Sequence, residues 1–166
     1  TYGVSSLLDR AAVGYSLLSG SKFEVRSPYK YNLAMWMYYM FEPIMYKGGN
    51  MIMFGGRSFS RGSSEQAMGS QVIAAMLDLI GSYGLDDDER LKKIIKRHVS
   101  EENLQDILTS LNISQLTKLK EVLEDSSITS EDYEIAYVYH TGDRVVQHRD
   151  NYAFCLSMSS SRVPTY

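Results

Sequence analysis

Residues 29–41 read Tyr-Lys-Tyr-Asn-Leu-Ala-Met-Trp-Met-Tyr-Tyr-Met-Phe. Pro28 stands directly before them, where proline suits the first turn of a helix. The run that follows is apolar nearly all round, and a helix without a polar face is buried on several sides. The stretch therefore predicts a helix packed among neighbouring helices, and Pro43 is expected to end it.

Helical periodicity continues on both sides of this stretch, because apolar residues recur three and four positions apart. The predicted helices cover residues 3–18, about 64–80 and about 86–98, and two more are expected to begin at the caps Ser100 and Ser114. The helix at 64–80 is expected to be capped by Ser63 or Ser64, and its predicted apolar stripe consists of Met68, Val72, Ala75, Met76 and Leu79. Six helices in about 125 residues predict a helical domain.

The period of the pattern changes at residues 125–127. Large and small side chains alternate over residues 135–139 and 152–159, and a turn at residues 141–143 leads into an apolar segment at 144–148. Alternation of this kind indicates strands. We expect a three-stranded antiparallel sheet with one bulky and one small face, and hence an α+β fold with domains at residues 1–125 and 126–166.

Composition excludes several classes of protein. The 166 residues are 44% hydrophobic and 22% charged, which is enough apolar material for one sizeable core. The net charge of −3 argues against a nucleic-acid partner, and the apolar runs are too short for a membrane span. A single cysteine, Cys155, excludes an internal disulfide.

Residues 51–63 read Met-Ile-Met-Phe-Gly-Gly-Arg-Ser-Phe-Ser-Arg-Gly-Ser and lie just before a predicted helix. Arg57 and Arg61 carry fixed positive forks that suit carboxylates, sulfates or phosphates, and a helix start adds amide groups. The pattern indicates an anion clamp, although structural ion pairs would explain it equally well. Beside such a pair, Tyr2 becomes a candidate acid, because positive charge lowers a phenol pKa.

Other chemical motifs are weak or absent from the sequence. There is no nucleotide-binding glycine motif, serine-nucleophile elbow or metal motif. His140 and His148 could bind a metal with Cys155, but we interpret them as ordinary strand residues, and His98 receives no function. The acidic run at residues 86–89 lacks the ligand spacing of a calcium loop and is interpreted as a solvated helix start.

In the order of these pieces, the chain resembles the bacterial polysaccharide lyases that cleave hyaluronan, chondroitin or xanthan. Residues 1–9, beginning Thr-Tyr-Gly-Val, look like the family's segment at the catalytic tyrosine. Residues 41–61, Phe-Glu-Pro-Ile-Met-Tyr-Lys-Gly-Gly leading into Gly-Arg-Ser-Phe-Ser-Arg, look like its arginine loop, and residues 143–162 look like its first core β strands. The resemblance implies the last helices of an incomplete α/α toroid followed by the first strands of an antiparallel β-sandwich domain.

The resemblance also implies a reaction, β-elimination at a uronic acid. In that family an asparagine neutralises the carboxylate, a histidine or the tyrosine removes the C5 proton, and the tyrosine protonates the leaving oxygen. A 4,5-unsaturated uronide remains. By resemblance Tyr2 is the catalytic tyrosine, Arg57 and Arg61 lie beside it and contact the substrate, and Phe59 is a substrate-binding residue between them.

The family's histidine and asparagine would fall before Thr1, and the residues that close its cleft would follow Tyr166. We interpret the sequence as part of a longer polypeptide, whose remainder is a partner of this segment, and we expect these 166 residues alone to be inactive. An acidic polysaccharide substrate implies a secreted or cell-surface protein. No cofactor is implied. The resemblance leaves room for a structural calcium ion, for which this sequence offers no ligand set.

Two other functions stay open at this point. An α/α-toroid glycoside hydrolase would need two carboxylates flanking the bond, and no such pair stands out. A non-catalytic protein that binds acidic polysaccharides would share the scaffold. The substrate is also open. The arginine loop looks closer to that of hyaluronan and chondroitin lyases, which carry an aliphatic residue at the position of Phe59, than to that of xanthan lyases, which are expected to carry tyrosine there, but one aromatic residue does not decide between them.

Overall fold

The computed structural model describes residues 3–55, 62 and 64–162, apart from the side chains of residues 4 and 5. A π-helical segment, Gly3–Leu8, leads into the first α-helix. The α-helices are α1 (Asp9–Leu18), α2 (Asn32–Trp36), α3 (Glu65–Leu79), α4 (Leu85–His98), α5 (Leu104–Ser110) and α6 (Ile113–Glu124). The strands are β1 (Met45–Tyr46), β2 (Gly49–Asn50), β3 (Ile135–Tyr139), β4 (Arg144–Arg149) and β5 (Tyr152–Ser157). The α+β fold expected from the sequence is confirmed.

The apolar stretch at residues 29–41 is helical, as predicted, but it is not one regular helix. A 3-10 turn (Tyr29–Tyr31) precedes α2, and a π-helical turn (Met37–Phe41) follows it. Pro43 does not end the helical region, because a further 3-10 turn (Glu42–Ile44) carries this proline in its first positions. A missing N–H group costs little there, since the first amides of a helical turn have no intrahelical partner.

Helix α3 is the centre of the helical part. It contacts α1, α4, α5 and α6, and its buried residues include all five of the predicted stripe, Met68, Val72, Ala75, Met76 and Leu79. Of the two predicted caps, Ser64 is the one that caps α3, because its hydroxyl accepts a hydrogen bond from the Ala67 amide at 3.0 Å.

The β1–β2 hairpin packs against α3 at backbone distance. Its turn residues Lys47 and Gly48 have φ values of 46° and 78°, which is the geometry of a tight two-residue hairpin. A Cβ added at Gly69 of α3 would lie 1.9 Å from the Gly48 carbonyl oxygen. Glycine is therefore required at position 69 for the hairpin to approach the helix.

The predicted caps of the last two helices are wrong. Helix α5 begins at Leu104 and not near Ser100, because a turn comes first in which the Asn103 side chain accepts from the Ser100 amide at 2.9 Å. Helix α6 is capped by Asn112 and not by Ser114. The Asn112 side chain accepts from the Gln115 amide at 3.0 Å, and the Gln115 side chain accepts from the Asn112 amide at 2.9 Å. This reciprocal pair is a capping box, which fixes the start of α6.

The three-stranded sheet is antiparallel in the order β3–β4–β5, as expected. The expectation of one bulky and one small face is wrong for the sheet as a whole. The face that turns towards the helices combines small residues of β5, among them Cys155, with large residues of β3 and β4, among them Tyr139 and Val146. The large side chains of β5 point away from the helices, and they are about half exposed: Tyr152, Phe154 and Leu156. Among the described residues, no helix has the length and apolar character needed to cross a membrane.

Candidate functional site

The sequence predicts four site residues, Tyr2, Arg57, Phe59 and Arg61, and all four lie outside the described residues. Their assignment therefore stays a prediction. The structure does describe the segments on either side of them. The π-helical segment Gly3–Leu8 follows Tyr2 directly, a 3-10 turn (Ile52–Phe54) precedes the arginines, and α3 follows them.

The two ends of the arginine stretch are tied to each other. The Ile52 amide donates a hydrogen bond to the Glu65 carboxylate at 2.7 Å, so the turn at residues 52–54 lies beside the start of α3. This helix start already has acceptors of its own, the Ser64 hydroxyl and the Glu65 carboxylate. A negative side chain in the first turn weakens the attraction of the helix dipole for a further anion. The start of α3 is therefore a weak site for an anion by itself.

The sheet holds the same turn from the other side. The Arg144 guanidinium donates from Nε to the Met53 carbonyl at 3.0 Å and lies 5.3 Å from the centre of the Phe54 ring. The Phe54 ring packs edge-on against Tyr139, with 4.8 Å between ring centres. The turn that leads into the arginine stretch is therefore fixed by both the helical part and the sheet.

An open groove of about 720 Å³ lies where the first helical segment, the α2 region and strand β3 meet. Leu7 lines it, and Leu7 belongs to the segment that begins directly after Tyr2. Tyr139, which contacts Phe54, lines it as well. The residues that follow Tyr2 and the residues that precede Arg57 thus lie at or beside the same groove, which we call the junction. The described wall of the groove carries mainly apolar and aromatic side chains, with Asn32 but no charged residue among them, so the groove alone is not a site for a polyanion.

The buried and half-buried tyrosines are poor candidates for the expected catalytic acid. Burial raises the pKa of Tyr38, Tyr83, Tyr133 and Tyr139 above the usual value for a phenol. The hydroxyl of Tyr139 also donates to the Met40 carbonyl at 2.9 Å. A phenol that holds its proton more tightly is a weaker acid, which is the opposite of what the elimination needs.

The two buried histidines hold the structure together. Burial lowers the pKa of His98 to about 3, and its Nδ1 accepts from the Gly48 amide at 3.5 Å. Burial also lowers the pKa of His148, whose Nε2 donates to the Pro43 carbonyl at 2.7 Å, since a carbonyl can only accept. Neither ring is free to act as a base on a substrate, in agreement with their interpretation as non-catalytic residues.

No metal site is present in the part of the chain that the structure describes, since no group of three or more His, Cys, Asp or Glu could hold an ion there. Burial raises the pKa of the Cys155 thiol, which disfavours the thiolate that would bind a metal. Two residues of the acidic run at 86–89 serve the fold. Asp87 accepts from the Tyr38 hydroxyl, and Asp88 accepts from the Gly81 amide, both at 2.9 Å.

The sequence reasoning missed a buried carboxylate, Glu42. It is 3% exposed and pairs with Arg97 at 2.8 Å and Arg90 at 3.2 Å, and the Arg90 guanidinium also stacks on the Tyr38 ring at 3.8 Å. An acidic residue directly between an apolar helix and a proline was the available signal. Since both of its oxygens are bound by arginines, Glu42 is a structural ion pair and not the free acid that a glycosidase needs.

Comparisons with known proteins identify relatives over the whole chain. The family model for the N-terminal alpha-helical domain of polysaccharide lyase family 8 matches residues 1–97, which is more than half of the chain. A xanthan lyase of Bacillus sp. (strain GL1) is 30% identical over 99% of this chain and 18% of its own length. A hyaluronate lyase of Staphylococcus aureus is 28% identical over 99% of this chain and 21% of its own length. The chain thus spans about a fifth of the length of the curated relatives it matches.

Solved structures share the fold of nearly the whole chain. A Paenibacillus xanthan lyase superposes with a TM-score of 0.91 and 30% identity over 98% of this chain and 16% of its own. A Streptomyces coelicolor A3 chondroitin AC lyase, solved in complex with chondroitin sulphate, superposes with a TM-score of 0.87 and 26% identity over 98% of this chain and 24% of its own. Each superposition covers both the helices and the three-stranded sheet.

Proposed function

This chain belongs to polysaccharide lyase family 8, and we propose that it is part of the catalytic region of an enzyme that cleaves an acidic polysaccharide by β-elimination. The reaction breaks the bond between C4 of a uronic acid and the glycosidic oxygen. It leaves a double bond between C4 and C5 and needs no added water. The observation that carries the proposal is the fold and 30% identity shared with a xanthan lyase across 98% of this chain.

We assign Tyr2 as the acid that protonates the leaving oxygen. Removal of the C5 proton and departure of the oxygen build up negative charge. Arg57 and Arg61 stabilise both this charge and the charge of the substrate carboxylate. Two guanidinium groups near a phenol also lower its pKa, which makes proton transfer easier near neutral pH. The frame around the site supports this assignment, because the flanks of Tyr2 and of the arginines reach one junction.

The remaining groups of the reaction come from the rest of the polypeptide in this proposal. They are the asparagine that neutralises the carboxylate and the histidine that removes the C5 proton. Neither buried histidine of this chain can replace that base, since His98 has a pKa of about 3 and His148 donates to Pro43. These 166 residues alone are therefore expected to show no turnover. The helical residues 1–125 and the sheet residues 126–166 would form parts of two domains that meet at the cleft.

The proposed substrate is hyaluronan, a chondroitin or xanthan. The arginine pair suits the carboxylate that all three polymers carry, and Phe59 between the arginines would contact a sugar ring. Polymers of this size do not enter cells, so we place the protein outside the cell, secreted or at the cell surface. The identities of 30% and 28% with a xanthan and a hyaluronate lyase do not favour one polymer strongly.

The test compares the complete protein with its Tyr2→Phe variant on the three polymers, each offered separately. The double bond of the product absorbs in the ultraviolet, so absorbance follows elimination directly. We expect one polymer to be cleaved, and Tyr2→Phe to lose at least about a hundredfold in kcat, as expected for removal of a general acid. Tyr29→Phe is the matched control, because Tyr29 is 65% exposed and lies outside the junction. Full activity of Tyr2→Phe would refute the assignment of Tyr2.

A further inference from the structure

We propose that Arg144 is a positioning residue, which sets the place of the predicted substrate-binding Arg57 by holding Met53 and Phe54 against the sheet. The inference rests on the proposed function, because Arg57 is a site residue of that function. Arg144 lies at the start of β4, far along the chain from the arginine stretch. It reaches that stretch through its contacts with Met53 and Phe54.

Two hydrogen bonds and one ring contact of the Arg144 side chain bear on this role. Nε donates to the Met53 carbonyl at 3.0 Å, a terminal nitrogen donates to the Gly142 carbonyl at 3.0 Å, and the guanidinium plane lies 5.3 Å from the Phe54 ring centre. The bond to Gly142 orients the fork, and the other two contacts hold the turn. Lysine has one compact charge and no plane, so it would reproduce this set only in part.

The strand end that carries Arg144 is itself well anchored. Arg144 pairs with Tyr139 on one side and with Ser157 on the other. The neighbouring Asp143 accepts hydrogen bonds from the Ser160 hydroxyl and the Arg162 guanidinium, and these bonds hold the pKa of the Asp143 carboxyl below its usual value. Because this end of β4 is held in place, Arg144 can hold the turn that it contacts in one position.

The two predicted arginines depend on different anchors. Arg57 is four residues after Met53, and Arg61 is four residues before Glu65. A chain of four residues spans at most about 14 Å, so the position of Met53 limits where Arg57 can lie, and the position of Glu65 limits where Arg61 can lie. Met53 is held by Arg144 of the sheet and, through its neighbour Ile52, by Glu65 as well, whereas Glu65 is fixed within α3 without Arg144. Loss of Arg144 should therefore displace Arg57 more than Arg61.

The experiment measures kcat and KM of the complete protein on the polymer that it cleaves. Arg144→Met is expected to lower kcat/KM by between about 10- and 100-fold, the effect of a small misplacement of a binding group, and Arg144→Lys by less. Arg149→Met is the matched control, because Arg149 is the exposed arginine at the other end of β4 and donates to the carbonyl of its neighbour His148. It should stay within about twofold of the wild type.

A double-mutant cycle separates positioning from general damage. In an Arg57→Ala background, Arg144→Met should cost little more, because its effect passes through Arg57. In an Arg61→Ala background it should keep most of its effect. Equal losses in all three backgrounds would overturn the inference, and so would wild-type activity of Arg144→Met. If Arg144→Met does not fold, as judged by its thermal unfolding, Arg144→Lys takes its place in the cycle and the same outcomes decide.

The results that would refute the proposed function differ from those that would refute only the positioning role of Arg144. If Arg57→Ala alone keeps the wild-type kcat/KM, the assignment of Arg57 to the substrate site is wrong, and the positioning role is wrong with it. If Arg57→Ala is impaired but its effect multiplies with that of Arg144→Met, only the positioning role is wrong.

Discussion

Helix α3 and strand β5 carry equally regular apolar patterns, yet the structure uses them in opposite ways. Helix α3 buries its apolar stripe in the centre of the helical part, and Leu77 and Met76 are fully buried. Strand β5 points its large residues outward, and Leu156 is 45% exposed. The difference teaches that periodicity identifies an element and its two faces, whereas the partners available in space decide which face is covered.

The inner face of the sheet takes its large side chains from β3 and β4 and not from β5. On the inner face of β5 the side chains are small, Ala153, Cys155 and Ser157. Tyr139, on the inner face of β3, donates to the Met40 carbonyl and packs against the Phe54 ring. The bulky outer face, with Phe154 and Leu156, has no such cover among the described residues.

The largest expected effect is on the free energy of unfolding, and it is tested with one leucine from each region. Leu77→Ala removes a fully buried side chain and should lower the free energy of unfolding by about 3 kcal/mol, since the lost burial and the cavity add together. Leu156→Ala removes a side chain that is 45% exposed and should cost less than about 1 kcal/mol. Denaturant unfolding of both variants and the wild type tests this. A cost for Leu156→Ala equal to that for Leu77→Ala would show that the outer face is covered.

A smaller effect compares the buried histidines of the two regions, His98 in α4 and His148 in β4, each 4% exposed. Burial lowers the pKa of His98 from 6.5 to about 3, so the unfolded state binds more protons than the folded state between these values. Stability due to neutral His98 is therefore complete above pH 6.5 and is lost as the pH falls towards 3. Between pH 6 and pH 4 the loss should be on the order of 2 kcal/mol.

The measurement is urea unfolding at pH 6 and pH 4 for the wild type, His98→Gln and His148→Gln. His98→Gln should remove most of this loss. His148→Gln should remove less, because the hydrogen bond of His148 to Pro43 opposes the effect of burial on its pKa. An unchanged pH dependence in His98→Gln would contradict the role of burial at this histidine.

Much of the fold could be predicted from one sequence because it is encoded locally. The stripe of α3 and its cap Ser64 follow from spacing and a side-chain hydroxyl, and the strands follow from alternation. The caps Ser100 and Ser114 were mistaken because nearby asparagines compete for the same backbone amides. Asn112 with Gln115 three residues later was a readable capping box that should have outranked Ser114.

The site residues stay a prediction. Its four predicted residues, Tyr2, Arg57, Phe59 and Arg61, rest on the family resemblance and on charge. The contacts that frame it join residues far apart in the chain, such as Arg144 with Met53 and Glu42 with Arg97. A single sequence holds no spacing signal for such pairs, and only the folded chain brings them together.

The most direct test of the central claim weighs the products that the complete protein makes from a defined oligosaccharide of its polymer. Elimination divides the substrate without adding water, so mass spectrometry should find two products whose masses sum to that of the substrate, one of them carrying the ultraviolet-absorbing double bond. Hydrolysis adds one water to the sum and leaves no such absorbance. The first result is the one we predict for this member of polysaccharide lyase family 8, and the second would contradict it.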